Sequence, residues 1–102
     1  MEVIGFNWDD GNRVKCQLHG VSVAEIESLF RNKPSPNVVD DSQHSIDEHR
    51  FRAFGMTTQG RYLFVVFTIR PNGKNVLIRP ISARYMHQKE VETYEKEIPD
   101  FQ

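Results

Sequence analysis

A chain of 102 residues, 38% hydrophobic and 26% charged, suits a single domain over residues 1–102 with a modest core of its own. Its seven Phe, three Tyr and one Trp exclude a disordered chain, and the lone Cys16 excludes an internal disulfide and fits a reducing compartment. A net charge of −1 excludes a uniformly basic surface, and with no signal-like or ~20-residue apolar run the expectation is a cytoplasmic protein that makes no membrane contact.

The opening run through Trp8 sets Ile4, Phe6 and Trp8 on one side and Val3 on the other, a first strand half-buried on one face. Asp9 or Asp10 can cap a short helix running to His19, with Gly20 at the left-handed position that closes it. Ser22 and Glu25 have the spacing of a capping box, and Val21 and Ile26 take the two positions of a hydrophobic staple. Val23, Ile26, Leu29 and Phe30 form the apolar stripe of this second helix, which Lys33 and Pro34 end. Residues 34–48 read as a loop with a short strand at Asn37 to Val39.

From Arg50 the period becomes two. Phe51, Ala53 and Gly55 face one way, and Arg50, Arg52, Phe54 and Met56 the other. A turn at Thr57 to Gly60 leads into the apolar run from Arg61 to Arg70, a covered central strand. Asn72 and Gly73 form the tip of a hairpin turn spanning Pro71 to Lys74, and the strand returns from Asn75 to Ser82, with Pro80 marking an edge or a bulge. A last helix begins near His87, with Val91, Tyr94 and Ile98 inward and Glu92 paired with Lys96 outward. The expected fold is α+β, a small antiparallel sheet in β-α-α-β-β-β-α order with the helices packed on one face.

Arg50, Arg52, Arg61, Arg70, Lys74, Arg79, Arg84 and Lys89 all fall between residues 49 and 89, where no acid occurs. Arginine on a sheet, far in sequence from its counter-charges, makes a surface for phosphate, because its planar fork pairs two phosphate oxygens at once. The same cations would equally guard exposed strand edges against aggregation.

The segments Trp8-Asp9-Asp10-Gly11-Asn12-Arg13, Lys15-Cys16-Gln17, His19-Gly20-Val21-Ser22, Gly60-Arg61 and Ile81-Ser82-Ala83-Arg84 occur in the order seen in BrnT-type toxins of bacterial toxin–antitoxin operons. So do the Arg50-Phe51 strand start, Lys89-Glu90 and Tyr94-Glu95, and the chain resembles that family over nearly its whole length. The resemblance implies a RelE-like fold, RNA cleavage, and neutralisation by a BrnA-like antitoxin with a ribbon-helix-helix DNA-binding segment. DNA would then be touched only through the antitoxin. One position departs: the family usually has a basic residue immediately before His-Gly, where this chain has Leu18, implying a weaker grip on RNA or a lower rate if that residue contacts RNA in relatives.

A ribonuclease working without metal must deprotonate the 2′-hydroxyl, stabilise the extra charge of the phosphorane and protonate the departing 5′-oxygen. His44 and His49 lie five apart in a loop, His19 and His87 in other elements, and no Cys or Asp completes a ligand set. Neither a metal nor another cofactor is expected. Catalysis is therefore assigned to Lys15, His19, Arg50, Arg79 and Arg84, with Arg52, Arg61 and Tyr85 binding RNA, and a 2′,3′-cyclic phosphate as product.

Each residue also has a structural explanation. Arg79 sits mid-strand between Leu77 and Ile81, costly for a cation unless it serves a cleft or bridges Glu25 or Glu27. Arg84 clamps phosphate or caps the preceding loop's carbonyls. Arg50 and Arg52 share a strand face suited to a bidentate grip or to a solvated edge. Lys15 is a base if burial among cations lowers its pKa, and otherwise a solvated helix lysine. His19 transfers protons or satisfies the last helix carbonyls, and His87 with Glu90 caps the last helix. Trp8 and Tyr85 are core rings or stacking platforms for bases. A second reading, from another class, is a non-catalytic module that holds an acidic partner on the same basic face. Near-neutral charge and Leu18 favour it. No helix gathers Arg, Lys, Asn and Gln on one face for direct DNA reading.

Overall fold

The computed structural model describes residues 3–32, 35–41 and 48–97. In chain order the elements are β1 (Val3–Phe6), α1 (Asp10–Cys16), α2 (Val23–Arg31), β2 (Asn37–Asp40), β3 (Phe51–Met56), β4 (Tyr62–Asn72), β5 (Asn75–Tyr85) and α3 (Gln88–Glu97). The strands form one five-stranded sheet in the order β1-β5-β4-β3-β2. The α+β class is as expected, but the sheet is mixed. β2 to β5 pair antiparallel, while β1 lies parallel to β5. No hairpin links β1 to β5, so nothing local fixes their relative direction, and the chain between them supplies the long crossover that parallel neighbours need.

Local chemistry explains most of the boundaries. α1 opens on a capping box in which Asp9 accepts from the Asn12 N–H at 3.0 Å and Asn12 accepts from the Asp9 N–H at 2.7 Å. It ends at Cys16, earlier than the expected His19, and a turn leads to Gly20 in the left-handed region at φ +86°. At α2, Ser22 Oγ accepts from the Glu25 N–H at 3.1 Å, but Glu25 does not complete the expected box because its carboxylate turns into the protein. The hairpin strands run further than expected and pair Asn72 with Asn75, which moves the tip to Gly73 and Lys74, with Gly73 at φ +63°. Pro80 lies at a bulge: Phe67 pairs with Pro80 and Val66 with Ser82, leaving Ile81 as the extra residue. Asn12 Nδ2 donates to the Pro80 carbonyl at 2.8 Å, which ties α1 to that bulge.

One sheet face is the core. Ala53, Leu63, Val65 and Phe67 pack there against Ile26 and Leu29 of α2 and Cys16 of α1. Phe30 extends the core edge-on between Phe6 and Phe67. α3 does not join α1 and α2, and here the expectation of helices on one face fails. The Tyr94 ring lies beside Phe54 and Tyr62, which alternation places on the opposite face, and its hydroxyl donates to the Phe54 carbonyl at 3.3 Å. The inward-facing Tyr94 was legible, but which face it covers depends on where the outward aromatics lie. Expectations at Lys33, Pro34, His44 and Ile98 fall outside the described residues. No helix among the described residues is long and apolar enough to cross a membrane.

Candidate active site

Strand register brings four of the sequence-selected arginines onto one surface. Arg52 pairs with Val66 and Val66 with Ser82; Phe54 pairs with Phe64 and Phe64 with Arg84; Thr68 pairs with Arg79. One step beyond the Phe51–Phe67 pair sets Arg50 beside Thr68, and the Asp41 N–H donates to its carbonyl at 2.8 Å. Arg50, Arg52, Arg79 and Arg84 thus share the face opposite the core, joined there by Arg70. The bulge at Pro80 makes this possible, because without the extra residue Arg79 and Arg84 would point to opposite faces.

The arginines are not bare. Arg79 donates from Nη1 to Asn7 Oδ1 at 2.7 Å and from Nη2 to Asp9 Oδ2 at 2.9 Å. Its carboxylate partner is therefore the cap of α1, not Glu25 or Glu27. Arg84 forks onto Glu90, with bonds of 2.7 and 2.9 Å, and its guanidinium lies 4.7 Å from the Phe64 ring centre. Arg70 reaches Glu48 at 2.6 Å. Arg52 Nε stands 3.4 Å from Asp41 Oδ1 and its guanidinium lies over the Phe54 ring. Arg50 Nε is buried without a hydrogen-bond partner among the described residues, as is the Thr68 hydroxyl. Acids that are absent from residues 49–89 return in space from four other segments.

These pairs set the local electrostatics. The two Arg84 bonds, followed by the His87 backbone N–H, pull Glu90 down from the ordinary carboxylate value to about 2. Glu90 therefore also caps α3, as expected, by accepting from His87 N at 2.8 Å. The Asn12 N–H and then Arg79 hold Asp9 below its usual range, and Arg70 does the same for Glu48. Glu90 in turn raises Arg84, so this guanidinium stays charged at any working pH.

The remaining candidates lie elsewhere. Lys15 and His19 are exposed on α1 and the turn after it, on the side of the sheet that α1 covers. Their link to the arginine face is Asp9, which both caps α1 and binds Arg79. Cys16 is fully buried, and that burial pushes its thiol up to about 11, so it is no nucleophile. Trp8 is half-buried, with its Nε1 donating to Glu27 at 2.9 Å and the Arg13 guanidinium over its ring.

Arg61 and Tyr85 form a separate unit where β4 begins and β5 ends. Tyr85 pairs with Leu63, on the core side, and the Arg61 guanidinium sits 3.4 Å from its ring centre. The Tyr85 hydroxyl donates to Glu25 Oε1, while Glu25 Oε2 accepts from the Thr57 hydroxyl at 3.0 Å. Sequence reading missed Glu25 and Thr57 at this site, because the Ser22–Glu25 spacing assigned Glu25 a local capping role.

Chemically, the face offers guanidinium donors for two or more phosphates of one strand. Among the described residues no three His, Cys, Asp or Glu side chains gather as metal ligands. A comparison with curated proteins finds no match. The family model for the BrnT ribonuclease toxin of type II toxin–antitoxin systems matches residues 8–90, a span that takes in every element from α1 to β5 together with Glu90. By that match this chain belongs to the BrnT family of ribonuclease toxins from type II toxin–antitoxin systems.

Proposed function

We propose that the toxin cleaves RNA on the face formed by Arg50, Arg52, Arg79 and Arg84, without a metal ion. The observation that carries this reading is the strand register that gathers those four arginines on one side of the sheet. The 2′-hydroxyl attacks its own phosphate, the guanidinium forks stabilise the phosphorane as charge builds, and the 5′-oxygen departs to leave a cyclic phosphate. Arg79 and Arg84 arrive already oriented, since Asn7, Asp9 and Glu90 fix their planes while other N–H edges remain to bind substrate. Proton transfer is assigned to Lys15 or His19, which stand on α1 and the turn after it, on the other side of the sheet, and are linked to the arginine face through the α1 cap Asp9 that binds Arg79. Arg52, Arg61 and Tyr85 bind the strand outside the reacting phosphate.

Family membership implies an antitoxin partner and an RNA target. The partner proposed is a BrnA-like ribbon-helix-helix antitoxin, the setting the cytoplasm, and the consequence arrested translation and growth. The RelE-like fold that the resemblance implies is proposed for this chain too.

The test incubates purified protein with RNA in EDTA, beside an Arg79→Ala/Arg84→Ala variant purified identically and shown to fold. Cleavage by the wild type alone, with cyclic-phosphate ends, is expected. Equal cleavage by both would remove the site from the arginine face. One observation favours a second reading. Arg79 and Arg84 already hold carboxylates, Arg79 by one bond to Asp9 and Arg84 by a fork onto Glu90, as they would hold an acidic partner in a non-catalytic module. That reading predicts no cleavage with or without ribosomes, and tight binding of an acidic peptide that the double variant loses.

A further inference from the structure

Glu25 is 3% exposed, and among the described residues no Lys, Arg or His pairs with it. Among the described residues its two oxygens accept from neutral hydroxyls, those of Tyr85 and Thr57. A carboxyl group taken out of water without a cation beside it is costly to place, and hydrogen bonds to its oxygens offset that cost. A plain capping role would have left it at the surface, accepting from the Ser22 N–H. The fold instead uses it to hold one ring.

That ring is Tyr85. Its O–H points inward to Glu25, and this bond together with burial raises the phenol above its ordinary value, so Tyr85 stays neutral and moves no proton near neutral pH. Its outer side carries the Arg61 guanidinium at 3.4 Å, and Arg61 itself is exposed. A guanidinium lying flat on an aromatic ring keeps its N–H groups in one plane, directed outward, and leaves its second face open for a base. Tyr85 directly follows Arg84 in β5, and Arg84 Nη1 approaches the Tyr85 carbonyl at 3.4 Å. The two side chains leave β5 on opposite faces, Tyr85 on the core side and Arg84 on the arginine side, so an RNA strand that meets both passes round the end of the sheet where β4 begins and β5 ends.

We infer that Glu25 is a positioning residue for substrate: through Tyr85 it sets Arg61 as a shelf that stacks one nucleobase of the RNA strand and holds the adjoining phosphate beside Arg84. The inference rests on the ribonuclease reading for its ligand, not for its geometry. Thr57 anchors the second Glu25 oxygen, so the shelf is tied to the turn that precedes Arg61.

The test uses the full chain, a cleavable RNA oligomer and the same oligomer with 2′-O-methyl groups, which binds but cannot be cut through its 2′-oxygen. Variants are Glu25→Gln, Tyr85→Phe, Arg61→Ala and the Tyr85→Phe/Arg61→Ala pair, each checked for folding by circular dichroism and thermal melting. Loss of one stacked base is expected to raise KM and the 2′-O-methyl RNA Kd about tenfold in each single variant, with kcat falling less than about twofold. The double variant is expected to be no worse than Arg61→Ala alone, since Tyr85 acts through Arg61. Additive losses, or folded Glu25→Gln and Tyr85→Phe proteins that bind as the wild type does, would overturn the positioning role. Should Glu25→Gln unfold, Tyr85→Phe and Arg61→Lys decide, since a lysine cannot stack as a plane and should bind like Arg61→Ala. Wild-type cleavage with unaffected variants removes the shelf and keeps the nuclease; binding lost in the variants of a protein that never cleaves does the reverse. A wild type that neither binds nor cleaves removes both.

Discussion

The two faces of the sheet are built on opposite principles. On one, Leu63, Val65 and Ala53 meet Ile26 and Leu29 with almost no exposure, and the stabilisation comes from apolar area removed from water. On the other, Arg50, Arg52, Arg70, Arg79 and Arg84 share the face with Thr68 and Phe64, and four of them, Arg52, Arg70, Arg79 and Arg84, meet carboxylates from Asp41 just after β2, Glu48, the α1 cap and α3. The first face is made by neighbours in the packing, and the second by partners remote in sequence. The contrast teaches that a charge-segregated sequence need not give a charge-segregated surface. Here acids missing from residues 49–89 come back to four of the arginines, Arg52, Arg70, Arg79 and Arg84.

The largest effect that separates the faces is on stability. Leu63→Ala removes a side chain with 0% exposure and should cost about 2–5 kcal/mol, read from the urea midpoint at an unchanged slope. Arg70→Ala, on the other face, breaks a half-exposed pair with Glu48 and should cost about 1 kcal/mol or less. If Arg70→Ala were as damaging as Leu63→Ala, the arginine layer would be a second core, and its reading as a substrate surface would lose its basis.

A smaller effect comes from acid. Glu90 has a folded value of about 2 against an ordinary 4.5, lowered first by the Arg84 bonds and then by the His87 N–H. Because the folded value is the lower one, the pair adds its stability above about pH 4.5 and loses it as the pH falls toward about 2. Glu90 is 37% exposed, so solvent screening limits the contribution to about 0.5–1 kcal/mol. Asp9 and Glu48 are shifted in the same direction and keep titrating in any variant. Glu90→Gln should therefore shrink, not abolish, the loss of urea resistance between pH 5 and pH 2.5, and a pH profile parallel to the wild type would show that Arg84 gains nothing from this partner.

What was legible in the sequence follows the same division. The α2 stripe of Ile26 and Leu29, the hairpin near Gly73 and the irregularity at Pro80 all rest on rules that act within a few residues. The alternation of Arg50, Arg52 and Phe54 was readable for the same reason. Partners were not. Nothing near Asp9 says that it will bind Arg79, seventy residues away, and nothing near Tyr94 says that its ring will lie against Phe54 on the far face. Glu25 shows the limit most clearly, since a sound local rule gave it a cap while the fold turned its carboxylate to Tyr85 and Thr57.

The smallest stability effect, and the sharpest division of labour, is expected at α1. Lys15 and His19 are exposed there, and with no ion pair among the described residues, Lys15→Ala and His19→Ala should each leave stability within about 0.5 kcal/mol. Any fall in RNA cleavage is then a statement about chemistry. A drop of about a hundredfold or more in kcat for one of them, at unchanged 2′-O-methyl RNA affinity, would identify the group that takes the 2′-hydroxyl proton. A pH–rate profile whose acidic limb vanishes in His19→Ala would make it the imidazole. Full activity in both variants would leave the work to the arginine forks alone. In that case the transition state is reached by electrostatic stabilisation without a side-chain base, and the α1 cap matters only because Asp9 holds the plane of Arg79.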